Sequence, residues 1–137
     1  MATEIALAWA AGLFDGEGCI QITKQQTGKN VNHTLVLSLA MVDAATVTAF
    51  QTIVRCGTIR KFANGKARPL YTWRIWNTEA ARLLQKLYPH LVTKVAQAQV
   101  GINFQRMKNA NKGKRLTVET LEEREECKRR LTDLKYE

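Results

Sequence analysis

The chain reads as alternating helical and strand-like stretches. Thr3 to Phe14 has the pattern of an apolar helix with Thr3 placed to cap it. Trp9 and Leu13 share one stripe of it; Ala8, Ala11, Gly12 and Asp15 form a second stripe of small residues. From Cys19 to Gln25 the period falls to two. Ile20 and Ile22 point one way, and Cys19, Gln21, Thr23 and Gln25 the other. After the polar "TGKNVNH", "TLVLSLAM" alternates again, with Leu35, Leu37 and Leu39 on one face, so the two runs predict a hairpin. Asp43 should cap a helix to about Arg55, ended by Cys56-Gly57, with Val47, Phe50 and Val54 inward. "TIRKF" and "LYTWRIW" predict a second hairpin around "ANGKARP", with Tyr71, Trp73 and Ile75 on one face and Thr72 and Arg74 on the other. Thr78 is placed to cap a short helix to Leu87, which Pro89 breaks; a longer helix spans roughly 92–107. A basic link, "KNANKGKR", leads to a last helix starting near Thr117 or Thr120, where Thr120 and Glu123 have capping-box spacing. Its apolar stripe is Val118, Leu121, Cys127 or Lys128, Leu131 and Leu134.

The pattern predicts an α+β fold: an αββαββα core with a four-stranded antiparallel sheet, helices on one face, and an extra C-terminal helix. The other face stays wet. Residues 1–108 form the core; residues 109–137 are the link and a helix packed on the same domain. A length of 137 residues suits one domain. No apolar run is long enough to span a membrane, and no basic stretch precedes an apolar one at the N-terminus, so neither an anchor nor a secretion signal is expected. Cys19, Cys56 and Cys127 are odd in number and widely spaced, which argues for reduced thiols in a prokaryotic cytoplasm or an organelle interior and against structural zinc.

Charge is uneven. Residues 116–137 hold seven acids and five basic residues; residues 1–115 hold sixteen basic residues and five acids, a net of +11. Between Gly18 and Arg115 only Asp43 and Glu79 are acidic. A body this basic points to a polyanion, nucleic acid first. The wet face would carry Gln21, Thr23, Gln25, Ser38, Arg60, Thr72 and Arg74. Singly these are ordinary solvated strand residues; together they form a surface suited to the base edges and phosphates of a nucleic acid.

"AAGLFDGEG", Ala10 to Gly18, resembles the motif that names the LAGLIDADG homing endonucleases. Ala11, Gly12, Leu13, Asp15 and Gly18 match outright; Phe14, Gly16 and Glu17 are conservative variants, and Ala10 departs. "LYPHLVTKVAQAQV", Leu87 to Val100, resembles a second recurring segment of that family, with His90 in place of an aromatic. The steric logic stands without the family. Small side chains at Ala8, Ala11 and Gly12 let a second helix approach closely. Two such helices bring two carboxylates together, which is costly unless a cation sits between them; oxygen donors and a phosphate substrate call for Mg²⁺.

The resemblance implies a site-specific, Mg²⁺-dependent, intron-encoded DNA endonuclease. With one motif per chain, cutting both strands requires a homodimer, joined through Ala8, Ala11, Gly12 and Asp15, on a near-palindromic target. Glu17 would be the metal-binding catalytic acid, with the Gly16 carbonyl as co-ligand and Lys94 as the basic residue beside the phosphate. Asp15 is counted with the catalytic set, mainly as support for the helix end. Base readout falls to the wet face, joined by Lys24, Lys29, Asn30, Asn32, Asn64, Lys66 and Arg68. Lys108, Lys112, Lys114 and Arg115 would hold phosphates. The alternatives are a maturase acting on its host intron RNA and a non-catalytic DNA-binding regulator of the same fold.

Overall fold

The computed structural model describes residues 3–136; the side chain of Asn64 lies outside the described part. Helix α1, Glu4–Glu17, is capped by Thr3, whose hydroxyl accepts from the Ala6 amide at 3.0 Å. Strands β1, Gly18–Thr27, and β2, Asn30–Met41, follow. They run further than the alternation predicts, because "TGKN" closes into a tight turn with Gly28 at φ +62°. Helix α2, Ala44–Val54, has its N-terminus held by Asp43, which accepts from the Thr46 amide at 3.3 Å. Strands β3, Thr58–Asn64, and β4, Ala67–Trp76, form the second hairpin. Helix α3, Asn77–Leu87, ends in a 3₁₀ turn at Tyr88–His90. Helix α4, Val95–Ala110, and helix α5, Val118–Lys135, complete the chain.

Two boundaries differ from the sequence reading, and at a third one of its two alternatives holds. Thr78 does not cap α3; the chain enters that helix at Asn77, in the left-handed region at φ 58°, with Trp76 at the N-cap position. Helix α4 starts three residues late, because the amides of Val92 and Lys94 are taken by another element. At α5 the cap is Thr117, which accepts from the Thr120 amide at 3.2 Å.

The strands form one antiparallel sheet in the order β1-β2-β4-β3. Ile20 and Ile22, Leu35, Leu37 and Leu39, and Trp73 and Ile75 face the helices and are buried. Phe14 from α1, Phe50 from α2 and Trp73 from β4 form the aromatic centre: Phe14 stacks on Phe50 at 6.4 Å, and Phe50 meets Trp73 edge-on at 4.8 Å. The Trp73 indole donates to the Cys56 carbonyl at 2.8 Å, which satisfies its buried N–H. Gly57, at φ +89°, allows this: a Cβ there would run into the indole. Helix α5 packs on α4 and along β1, an edge strand that would otherwise lie open.

Candidate active site and nucleic-acid interface

Eight residues of the motif end α1, and its last glycine starts β1. Phe14 plugs the core, and a Cβ at Gly18 would collide with its ring. The chain therefore leaves the helix for the sheet immediately after Glu17, and the turn leaves Gly16 and Glu17 exposed at the surface. Glu17 has no hydrogen-bond or ion-pair partner among the described residues.

Asp15 has a different task. Its Oδ2 accepts from the Val92 amide at 2.7 Å and its Oδ1 from the Lys94 amide at 3.0 Å. Both oxygens are thus committed to the start of α4, where no residue of α4's own provides a side-chain cap. This agrees with the expectation that Asp15 mainly supports a helix end: it is a cap lent by one helix to another. Lys94 returns the tie, its Nζ donating to the Asp15 carbonyl at 2.7 Å. Lys94 is thereby held at the α1 terminus, on the residue that directly precedes Gly16 and Glu17.

The small-residue stripe divides. Ala11 is fully buried in its own chain's core, so it cannot form a contact with a second chain; this corrects the sequence reading. Ala8 and Gly12 do face outward, on a strip with Ile5 and Trp9, which are 84% and 44% exposed. A Cβ on Gly12 would meet nothing within 4 Å. Nothing in this chain requires glycine there, although glycine costs a helix interior roughly 0.5–1 kcal/mol relative to alanine.

On the sheet, Gln21, Thr23 and Gln25 of β1, Asn32 and Ser38 of β2, Arg60 of β3, and Thr72 and Arg74 of β4 share the face away from the helices. Lys29, Asn30, Lys66 and Arg68 are exposed around the hairpin turns, and Lys112, Lys114 and Arg115 in the α4–α5 connection. Lys24 corrects the sequence reading: it is on the helix side, where its Nζ lies 2.9 Å from Glu125 Oε1 on α5. The same carboxylate oxygen accepts from Nε2–H of the fully buried His33 at 2.9 Å. These two hydrogen bonds, Lys24's first, hold the Glu125 carboxyl below the usual glutamate value.

Sequence reasoning missed the apolar part of the outer face. Phe62, Leu70 and Trp76 are 47%, 38% and 42% exposed. Phe62 and Trp76 line a niche of about 130 Å³ with Thr58, Arg60, Thr72 and Arg74. The signal was present: continuing the alternation of Arg60 and Arg74 by two residues reaches both aromatics. Arg124, 8% exposed, was missed as well; a charged residue inside an apolar helical stripe is easily passed over.

The family model for LAGLIDADG endonucleases matches residues 10–111. The chain belongs to the LAGLIDADG endonuclease family. A DNA endonuclease of Chlorella vulgaris, I-CvuI, is 30% identical over 103 residues, 71% of this chain and 62% of that protein's length. The crystal structure of I-CvuI with a DNA target and Mg superposes at a TM-score of 0.82 and 23% identity, covering 96% of this chain and 82% of that one. An archaeal intron-encoded homing endonuclease, I-Vdi141I, complexed with DNA, gives 0.80 at 15% identity over 96% and 84%. I-TnaI, another homing endonuclease, gives 0.68 at 19% identity over 98% and 99%. The LAGLIDADG motif of this chain is the α1 terminus just described, and the family fold is the sheet backed by helices.

Among the described residues no three His, Cys, Asp or Glu side chains lie close enough to hold a metal. Glu17 is nonetheless a hard, exposed and unpaired oxygen donor beside an exposed Gly16. That donor set fits a Mg²⁺ ion completed by oxygens from a second chain, a phosphate and water.

Proposed function

We propose that this chain is a site-specific DNA endonuclease, encoded in an intron, that uses Mg²⁺ and acts as a homodimer on near-palindromic double-stranded DNA. The observation that carries this reading is α1: an outward Gly12 for which its own chain has no use, one turn before an exposed, unpaired Glu17. Helices packed through Ala8 and Gly12 put two Glu17 carboxylates side by side, a repulsion that a divalent ion removes.

Each part of the chain then has a role. Glu17 and the Gly16 carbonyl hold the metal. Bound there, Mg²⁺ supplies Lewis acidity at the phosphate and an activated water. Lys94, held by its bond to Asp15, places a positive charge where negative charge develops on the phosphate. The outer sheet face reads bases through Gln21, Gln25, Arg60 and Arg74, while lysines of the turns and of the α4–α5 connection hold the backbone. Free thiols at all three cysteines agree with a reducing compartment, a prokaryotic cytoplasm or an organelle interior.

The test is selection of cleaved duplexes from a randomised library in Mg²⁺, followed by single-turnover cleavage and Ca²⁺ gel shifts on the selected site. Glu17→Gln should abolish cleavage and keep binding. A Glu17→Gln protein cutting at near the wild-type rate would leave the motif purely structural and the proposal wrong.

A further inference from the structure

Away from the motif, a cavity of about 440 Å³ opens where the end of α4, the α4–α5 connection and α5 meet the start of β2 and of α3. Its walls carry four cations, Lys108, Lys112, Lys114 and Arg124, and no carboxylate. Arg124 is the residue that needs explaining. It is 8% exposed, and no acceptor among the described residues takes its guanidinium protons. A buried charge is ordinarily paired, because leaving water without a partner is costly. Lys108, half-buried, donates from Nζ to two neutral acceptors, the His33 carbonyl at 2.7 Å and Asn77 Oδ1 at 3.4 Å. Burial first, and then the positive charge of Arg124, push the Lys108 ammonium below its usual value. Burial does the same to Arg124.

A buried guanidinium side chain and a half-buried ammonium facing one cavity with no acid form a receptor for an anion. A guanidinium fork matches two phosphate oxygens, and an ammonium adds a point charge. Lys112 and Lys114 are exposed at the same cavity and can close on its contents. The buried Gln105 Oε1, without a partner, can accept from a water that enters with a hydrated anion. The cavity also adjoins the outer sheet face. Asn32, in its wall, lies on that face and donates to Thr34 at 3.3 Å; Asn77, also in its wall, follows Trp76 directly.

We propose that this cavity seats one phosphodiester of duplex DNA, with Arg124 and Lys108 as its fixed cations, so that α5 belongs to the DNA-binding machinery. The proposal rests on the DNA-binding reading above. A free phosphate ion shares the chemistry; the duplex is favoured because the cavity is open and continuous with the sheet face.

The experiment uses the full chain, Arg124→Met and Arg124→Gln, a random-sequence 40-base-pair duplex in Ca²⁺ over a salt series, and inorganic phosphate with sulfate as control. Random sequence suffices because a phosphate contact carries no base information. Arg124→Met should bind the duplex about tenfold more weakly, with the salt slope reduced by about one per protomer. Its melting temperature at low salt should equal or exceed that of the wild type, since an unpaired buried charge has been replaced by an apolar side chain. A lower melting temperature would mark Arg124 as structural and overturn the proposal unless Arg124→Gln, which keeps donors, folds normally and shows the loss of duplex affinity. Equal duplex affinity and slope in wild type and both variants overturns the seat while leaving the DNA-binding reading intact. A wild type that does not bind the duplex at all overturns both. If millimolar phosphate stabilises the wild type but not Arg124→Met while duplex binding is equal, the seat takes free phosphate and the assignment to DNA is wrong.

Discussion

Asp15→Ala separates a structural from a chemical role for the second acid of the motif. In the wild type its carboxylate accepts from two amides at the start of α4, at 2.7 and 3.0 Å. Val92 is 83% exposed, so its amide can turn to water and little is lost there. The Lys94 amide is partly buried, and its charge-assisted bond also completes the N-terminus of a helix that lacks a cap of its own. Losing an acceptor of this kind costs about 2 kcal/mol. For a chain of this size that lowers the melting temperature by about 6–10 °C. Asp15→Asn keeps one acceptor oxygen and loses the charge that favours a helix N-terminus, so it should cost about 1 kcal/mol. Urea unfolding should show both variants with a lower midpoint and an unchanged slope. Cleavage measured well below melting should fall only modestly, through looser placement of Lys94. An Asp15→Asn protein as stable as the wild type but inactive would refute the capping account and return Asp15 to the chemistry.

Gly12→Ala should raise the stability of an isolated chain by about 0.5–1 kcal/mol, since its Cβ enters open space; Gly12→Leu should lower self-association in sedimentation, and unchanged association would place the dimer contact elsewhere. The Glu125 carboxyl is held below the ordinary glutamate value, so its contribution is complete above that ordinary value and is lost as pH falls through the lowered one. Melting of Glu125→Gln should therefore be below wild type at neutral pH, with the gap closing in acid; a gap independent of pH would deny Glu125 this role. On the outer face, a thymine methyl lodged against Trp76 or Phe62 is worth about 0.8 kcal/mol, close to fourfold in affinity. Replacing thymine by uracil across a selected site should reveal that loss in the wild type and not in a Trp76→Ala, Phe62→Ala double variant; equal losses would exclude these rings as the reader.

The elements themselves were legible in the chain. Period-two alternation in "TLVLSLAM" and "LYTWRIW" sorts buried from wet positions because successive strand residues must face opposite ways. Polar caps at Thr3 and Asp43 mark helix starts because the first amides of a helix need an acceptor. Other features depended on partners far away in sequence. Ala11 and Gly12 are adjacent small residues of the motif, yet only the packing of α1 on its own sheet decides that one is core and the other surface. That Asp15 supports a helix end was legible; that its oxygens serve the chain leading into α4, 77 residues later, was not. Lys24 shares the helix-side parity of Ile20 and Ile22, which the alternation already contains; only its partner Glu125, on α5, comes from the tertiary structure. Arg124 sits in a polar helix of ordinary composition, and its burial beside Lys108 exists only once α5 lies against α4. Local pattern reports which face of an element meets the core; which groups are left paired or unpaired on the other faces is set by the tertiary neighbours, since pairing energies depend on distances that no spacing within an element encodes.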